Sequence, residues 1–456
     1  MNQNKEFLGT QPIGKLLLHL AIPTVVAQLI NMLYNVVDRI YIGNMPGIGS
    51  LALTGVGVCL PLIMIISAFS ALIGYGGAPL ASISLGRKEP EKAKKILNNS
   101  FRFLIVIALT LTVILLFSNR FLLYTFGASE QTIGYALDYM NIYSIGTIFV
   151  EVTLGMNAFI TAQGFTKAGM YSVLIGAVTN IVLDPILIYG LNMGVKGAAI
   201  ATIASQALSC IYVISFLHSK RSNIHLELKP AKISFAILKP CLILGVSGFV
   251  MQASESIITI CFNSSLQAYG GDLAVGAMTI LSTVMQFALL PLNGLGQGAQ
   301  PIISYNYGAG NKQRVISAFK LLLKISLTYS LTLWALIEIF PSIFVRIFTN
   351  NEELLIFATK MIRIYVGGLG LFGAQVACQM GFTSIGDAKA SIIAAVMRKF
   401  ILLIPLIYLI PLLVPNKTMG VYLAEPVADI IAVIFTVTLF YFHFKAALNK
   451  MEPAHS

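Results

Sequence analysis

The stretch YSVLIGAVTNIVLDPILIYG, residues 171–190, carries no charged side chain except Asp184. It is about as long as a helix must be to cross the roughly 30 Å hydrocarbon core of a bilayer. A charged side chain at the bilayer centre costs at least about 2.5–3.5 kcal/mol, so it is rarely there without a purpose. The stretch therefore predicts a membrane-spanning helix in which Asp184 has a functional role; the alternatives are that it caps a broken helix or forms a static pair with Arg39.

Similar apolar runs recur along the whole chain of 456 residues, of which 57% are hydrophobic and 11% charged. Soluble domains are usually about 45–50% apolar and about 25% charged, and transmembrane β-barrels show alternating runs of only about 10 residues. The composition predicts an all-α polytopic membrane protein with about twelve spans. The predicted spans are 15–42, 52–82, 96–118, 133–163, 168–191, 197–219, 238–266, 274–305, 316–347, 354–384, 390–413 and 418–445.

The formal net charge of +12 is compatible with nucleic-acid binding, but the basic residues lie in short loops between the apolar runs. Most of them fall on one side of the predicted membrane. By the positive-inside rule this side is the cytoplasm, and both termini lie there. The partner that the charge indicates is the lipid bilayer and not a nucleic acid. The other side holds only Arg39, Arg120, Lys196, Arg346, Lys360, Arg363 and Lys417.

The two halves of the chain resemble each other. At one constant offset, APLASISLG (78–86) matches QPIISYNYG (300–308), and GFTKA (164–168) matches GDAKA (386–390). We expect a first six-helix bundle at 1–219, a cytoplasmic linker at 220–237 and a second bundle at 238–456. An even number of spans per half predicts parallel repeats related by a pseudo-two-fold axis along the membrane normal, which is a common plan of transporters.

Motifs of enzymes are absent from the sequence. The chain has neither the P-loop GxxxxGK[ST] nor HExxH, and its five cysteines lie in apolar stretches without CxxC spacing. We expect no enzymatic activity, no cofactor and no energy supply from ATP through a P-loop.

Four polar residues of the first half are predicted to share one level in the outer part of the membrane. At 1.5 Å per residue, Asn180 lies roughly 18 Å and Asp184 roughly 24 Å from the cytosolic end of their span. Thr202 lies about 8 Å inside the outer face, and Asp38 ends a long first span. Asn180 and Asp184 are also separated by four residues, which places them on one helix face.

Pro185 adds a free acceptor to this level. It has no N–H, so the carbonyl of Ile181 loses its helix partner and the helix tends to kink. Two carboxylates, an amide, a hydroxyl and that carbonyl form an oxygen-rich cage for a shared proton or for Na⁺. Because two acids close together in a low dielectric cannot both stay ionised cheaply, the charge state of the cage is expected to change during function.

Other intramembrane charges have several interpretations. Glu255 either faces a cationic substrate or pairs with a basic residue, and Arg398 and Asp429 are predicted to form a static ion pair because they lie at similar depths. Glu151 and Glu338 have no evident partner, so their roles stay open. Tyr34 and Met285 belong to a group of aromatic residues and methionines that either pack in the core or line an adaptable cavity for flat apolar cations.

The blocks LAIPTVVAQLINMLYNVVDRIYIG, PLASISLG, GFTKAGM…NIVLDPILIYGLNMGVKGAAIAT and GVYLAEPVADIIA resemble the multidrug and toxic compound extrusion (MATE) family, in particular its bacterial multidrug-efflux branch. The resemblance covers essentially the whole chain. It implies two six-helix bundles facing each other in a V, a bacterial inner membrane location, and export of cationic drugs in exchange for H⁺ or Na⁺. We expect a monomer.

The resemblance also implies a set of site residues. The cation site of similar proteins falls on Asp38, Asn180, Asp184 and Thr202, and such proteins recruit a tyrosine and an asparagine that match Tyr139 and Asn157. Some sodium-coupled relatives pair a helix-seven glutamate, matched by Glu255, with a helix-ten aspartate. Because the tenth span has no acid, H⁺ is favoured over Na⁺ as the coupling ion.

A flippase and a passive channel are the two alternative functions for such a membrane protein. A flippase for a lipid-linked or amphipathic lipid belongs to the same wider superfamily, but such proteins more often have extra spans and a basic cavity. A passive channel does not explain the duplicated bundles and the paired acids.

Overall fold

Helices form every regular element in residues 7–229 and 231–451, the part of the chain that the computed structural model describes. In this part, nine helices are long and apolar enough to cross a membrane, and two bent pairs pass the same test together. The predicted all-α polytopic membrane fold is confirmed. The first half contains α1 (Phe7–Thr10), α2 (Ile13–Gly43), α3 (Gly49–Gly86), α4 (Pro90–Thr125), α5 (Ile133–Ile145), α6 (Thr147–Ala162), α7 (Thr166–Pro185) and α8 (Gly194–His218).

The second half begins with one very long element, α9 (Phe235–Gly308), which is interrupted at Gly271 with φ 62° and ψ −160°. Only glycine adopts such a conformation readily. The prediction of twelve spans needs the arms 235–270 and 272–308 to cross the membrane separately, and it stays a prediction. The remaining elements are α10 (Lys312–Ile339), α11 (Pro341–Arg346), α12 (Glu352–Tyr365), α13 (Leu369–Ser384), α14 (Ala388–Val396), α15 (Ile404–Leu413) and α16 (Lys417–Asn449).

Two predicted spans are broken in the structure. The helices α5 and α6 meet at a bend of 58°, and α12 and α13 meet at a bend of 49°. The sequence predicts 133–163 and 354–384 as single spans, because a run of apolar residues indicates the length of a span and not a change in its direction. At the first bend Gly146 lies so close to Ile203 of α8 that a β-carbon would overlap it.

A π-helical segment interrupts the fifth predicted span of each half. Ile186–Gly190 follows Pro185 directly, and Met397–Leu403 joins α14 to α15. Because Pro185 cannot donate to the preceding turn, the helix widens here, and the Leu191 amide donates to the Ile186 carbonyl at 2.8 Å. Bends and π segments occur in the same order in both halves, as a repeat predicts, while the pseudo-two-fold axis itself stays a prediction.

The linker between the halves packs on the first half. The Gln163 Oε1 atom accepts hydrogen bonds from the Ser222 hydroxyl and from the Asn223 and Ile224 amides, at 2.7–3.1 Å. A hydrogen bond from Lys94 lowers the pKa of the Glu227 carboxylate below its usual range. The linker is therefore attached to the first half at several points.

The halves meet along α2, α3 and α9. The Thr24 hydroxyl donates to the Gly294 carbonyl at 2.6 Å, and glycines allow the backbones to approach closely. A β-carbon on Gly76 would overlap Cys241, and one on Gly245 would overlap Leu72. These contacts lie toward the helix ends that are predicted to be cytoplasmic, and we expect them to close the space between the halves on that side.

Candidate functional site

Three predicted site residues come together in the first half. On α7 the Asn180 side-chain amide donates to Asp184 Oδ1 at 3.3 Å. Asp38, from the outer part of α2, lies close enough to Asp184 for the two carboxyl groups to interact. Asn180 and Asp184 are both fully buried. The fifth-span helix and the first-span helix thus supply a carboxyl pair with an amide beside it.

Tyr139 and Thr202 border this group. The Tyr139 hydroxyl and Thr202 Oγ1 are 3.5 Å apart, and the Thr202 hydroxyl donates to the Ala198 carbonyl at 3.0 Å. Tyr34 and Tyr139 both lie close enough to Asp38 to interact with its charge. Four helices therefore converge on one polar level, since α2, α5, α7 and α8 all supply side chains to it.

The group has more acceptors than donors. Asp38 Oδ1, Asn180 Oδ1 and Asp184 Oδ2 are buried and have no hydrogen-bond partner in the described residues. Arg39 is exposed, and no ion pair joins it to either acid in this part of the chain. Buried polar atoms are nearly always paired, so unpaired oxygens beside two carboxyl groups indicate a place for a proton or a hard cation.

A cavity of about 380 Å³ is lined by residues of both halves, and its lining does not include Asp38, Tyr139, Asn180, Asp184 or Thr202. Tyr34 lines it, and so does Asn157, whose amide donates to the Gly169 carbonyl at 3.3 Å while its Oδ1 atom has no partner in the described residues. The structure thus places Asn157 in the cavity wall and shows no hydrogen bond from it to the carboxyl pair. No Lys, Arg, Asp or Glu lines the cavity. Its amides are Gln28, Asn31, Asn157, Gln206, Gln252, Asn293, Gln297 and Gln300.

This amide lining is not among the features predicted from the sequence. Gln28 and Asn31 are one turn apart on α2, and Asn293, Gln297 and Gln300 repeat at helical spacing on α9. That periodic placement of amides inside apolar runs was the available signal, since an amide in a membrane span must find a partner or water.

Comparison with known proteins identifies the family. The sequence profile of the MatE family matches residues 23–186 and 248–409. The chain belongs to the MatE family. It is similar to the multidrug export protein MepA of Staphylococcus haemolyticus (strain JCSC1435), with 26% identity over 87% of each chain. The MepA of Staphylococcus aureus (strain NCTC 8325 / PS 47) is 26% identical over 88% of each chain.

Solved structures show the same MATE fold. A crystal structure of MATE in the bent conformation has a TM-score of 0.91 at 23% identity and covers 99% of both chains. The outward-facing conformation of a multidrug resistance MATE family transporter of the MOP superfamily has a TM-score of 0.90 at 23% identity, covering 98% of this chain and 99% of the other.

In the second half of this MatE protein the predicted ion pair is present. Arg398 Nε donates to Asp429 Oδ1 at 2.8 Å, and a terminal guanidinium nitrogen donates to Glu425 Oε1 at 3.1 Å. The guanidinium also lies 4.5 Å from the centre of the Phe372 ring. Arg398 therefore has two carboxylate partners and an aromatic face, which is the closed arrangement that buried charges require.

Two other predictions on the second half are decided by packing. Glu255 forms an ion pair with Lys399, which is the alternative in which it pairs with a basic residue. Met285 is only 5% exposed and packs in the hydrophobic core of the second half. The interpretation of Met285 as a cavity-lining residue is wrong for this cavity, because its neighbours are core residues of its own half.

The described residues contain no group of three or more His, Cys, Asp or Glu side chains that could hold a metal ion. A cation in this MatE protein would instead depend on the mixed oxygen set around Asp38 and Asp184. Two carboxylates, an amide oxygen and a hydroxyl are ligands that suit a hard cation such as Na⁺.

Proposed function

We propose that this MatE-family protein is a secondary active antiporter that exports cationic, amphipathic drugs in exchange for protons. The observation that supports this most strongly is the set of three unpaired buried oxygens on Asp38, Asn180 and Asp184. One proton shared by the carboxyl pair would join an Asp38 oxygen to an Asp184 oxygen, and its loss would leave two negative charges in a low dielectric. Occupancy of this site therefore has a large effect on the free energy of the conformation around it.

The position of the site suggests how the proton and the drug are coupled. Tyr34 lines the cavity and also lies near Asp38. A cation in the cavity and a proton on the carboxyl pair would therefore both compensate the negative charge of Asp38 and Asp184. A cationic drug is attracted when the pair is ionised, and it is released when the pair takes up a proton. Coupling of this kind needs only that the proton and the drug each bind the two conformations of the protein with different affinities.

The cavity fits a cationic drug better than a lipid pyrophosphate. Its lining offers amides, hydroxyls and tyrosine rings but no lysine or arginine, and phosphate groups are usually held by cations or helix N-termini. The relatives named as multidrug export proteins agree with this substrate class.

We further propose that the protein works as a monomer with both termini in the cytoplasm. The Asp38–Asp184 pair and the cavity are both built from residues of one chain, which supports a monomer. The basic loops are predicted to lie on the same side of the membrane as the termini, which supports the orientation. Sodium remains the second candidate as coupling ion, because the oxygen set also suits it.

The test is reconstitution of the purified protein in liposomes, with ethidium as the transported cation. A pH gradient and a sodium gradient are imposed separately, with the membrane potential clamped by an ionophore. We expect the pH gradient alone to drive ethidium transport. Transport driven by sodium alone would contradict proton coupling, and transport driven by neither gradient would contradict antiport of this substrate.

A further inference from the structure

Glu151 is a further buried acid of the first half, in addition to Asp38 and Asp184. It lies on α6 just beyond the bend at Gly146 and is completely buried. The Ser70 hydroxyl donates to its Oε2 atom at 2.8 Å, whereas its Oε1 atom has no partner in the described residues. No ion pair reaches it there. A buried carboxylate without a cation is unfavourable, so a bound proton is the state that this environment stabilises.

Ser70 connects Glu151 to the cavity. It lines the cavity wall, as does Thr153, two residues after Glu151. The carboxyl group is thus one side chain away from a space that can hold water. When water reaches Ser70, it gains access to the carboxyl group that Ser70 contacts.

Tyrosines lie near both Glu151 and the carboxyl pair. Tyr143, on the other side of the bend, lies close enough to interact with both Glu151 and Tyr34. It also stacks on Tyr139, with ring centres 6.1 Å apart. Tyr34 and Tyr139 are the two tyrosines near Asp38. Tyr143 is therefore a titratable neighbour of Glu151, and no lysine, arginine or histidine pairs with Glu151 in the described residues.

We infer that Glu151 is a second proton-carrying group, which passes a proton between the Asp38–Asp184 pair and the cavity. This inference rests on the proposed function, and it adds a route by which the proton of the Asp38–Asp184 pair reaches the cavity. Glu151 binds a proton as the pair releases one. It gives up that proton when the Ser70 hydroxyl turns to accept it from the carboxyl group and donates its own hydrogen to water in the cavity. Only O–H bonds form and break, and no oxidant or other reactant is required.

The test compares Glu151→Gln with wild type in ethidium-loaded proteoliposomes. Glutamine keeps the size and can still accept the Ser70 hydrogen bond, but it cannot release a proton. We expect transport driven by a pH gradient to fall to the rate of protein-free liposomes. Exchange of ethidium between the two sides without a gradient should continue at the wild-type rate, because it needs no net proton movement. Glu338→Gln, an acid on α10 in the other half, is the matched control and should leave both rates unchanged.

Wild-type transport is measured first, so failure of the proposed antiport is separate from failure of this inference. If Glu151→Gln keeps driven transport, Glu151 carries no proton and the inference is wrong. Loss of both driven transport and exchange also overturns it, since this indicates a structural or substrate-binding role. Should the variant fail to reach the membrane, Ser70→Ala decides, because it keeps the acid and removes its donor. A pH profile of transport identical to wild type would then overturn the inference, and a shifted profile would support it.

Discussion

The buried carboxyl groups of this protein lie in two different environments, one without a basic partner and one with it. Asp38 and Asp184 take part in no ion pair within the described residues, whereas Asp429 and Glu425 share the guanidinium of Arg398, although Asp429 Oδ2 also has no hydrogen-bond partner there. A buried ion pair with its partners in place has little reason to change charge, because either partner alone would be an uncompensated buried charge. The environment of each carboxyl group, and not its residue type, separates a candidate proton site from a structural contact.

Asp184→Asn is expected to abolish transport of ethidium driven by a pH gradient while the protein still reaches the membrane. Asparagine keeps the shape of the side chain and can bond Asn180, but the group with Asp38 can no longer exchange a proton. The measurement is driven transport in proteoliposomes, with Asp138→Asn as control, because Asp138 lies in a half-exposed pair with Lys196. Driven transport at the normal rate in Asp184→Asn would contradict the proposed site.

Arg398→Met is expected to destabilise the protein by about 3–5 kcal/mol, because it leaves two buried carboxylates without a cation. Thermal unfolding in detergent measures the loss. Lys92→Met removes an exposed surface pair with Glu89 and should cost at most about 1 kcal/mol. Adding Glu425→Gln and Asp429→Asn to Arg398→Met should recover much of the loss, and no recovery would show that the cost came from packing.

At the scale of elements, the breaks in helices place the functional groups. The 58° bend between α5 and α6 separates Tyr139, near the carboxyl pair, from Glu151, near the cavity. The π turn after Pro185 lies directly beyond Asp184. Irregular helix geometry at a membrane level is tolerated where it lines a cavity or is buried in protein, and here it surrounds the candidate site.

Gly146→Val is expected to strain the bend, because a β-carbon there overlaps Ile203. Overpacking of this kind typically costs about 1–3 kcal/mol. Ile203→Ala should relieve the strain, so the double variant should be more stable than the sum of the single losses implies. The measurement is a double-mutant cycle of thermal unfolding, and additive losses would contradict the contact.

At the scale of the whole molecule, small residues close one side of the protein. Gly76 and Gly245 let α3 and α9 approach to backbone contact, and Thr24 adds a hydrogen bond across the halves. Transport by alternating access requires this seal to open, since each conformation exposes the site to one side only. Contacts between small residues suit such a seal because they pack closely without long interlocked side chains.

Gly245→Leu is expected to open the seal, because its side chain would overlap Leu72. Cys241, which is 1% exposed at the same contact, then becomes a reporter once Cys59, Cys210, Cys261 and Cys378 are replaced by alanine. Labelling of Cys241 by a membrane-impermeant maleimide should increase from the cytoplasmic side. Gly57→Leu is the control, because a β-carbon on Gly57 meets nothing within 4 Å. Equal labelling in both variants would contradict the predicted seal.

The sequence by itself determined the membrane class, the family, the order of apolar helices and the shared level of Asp38, Asn180 and Asp184. These features depend on local composition, on span length and on the helical period, all of which can be read along one chain. The tertiary structure decided that Glu255 pairs with Lys399, that Met285 lies in a core, that amides from several helices line one cavity, and that Glu151 faces Ser70. Each of these depends on which faces of distant helices meet, and in a lipid environment most faces of a helix are apolar, so composition alone does not distinguish them.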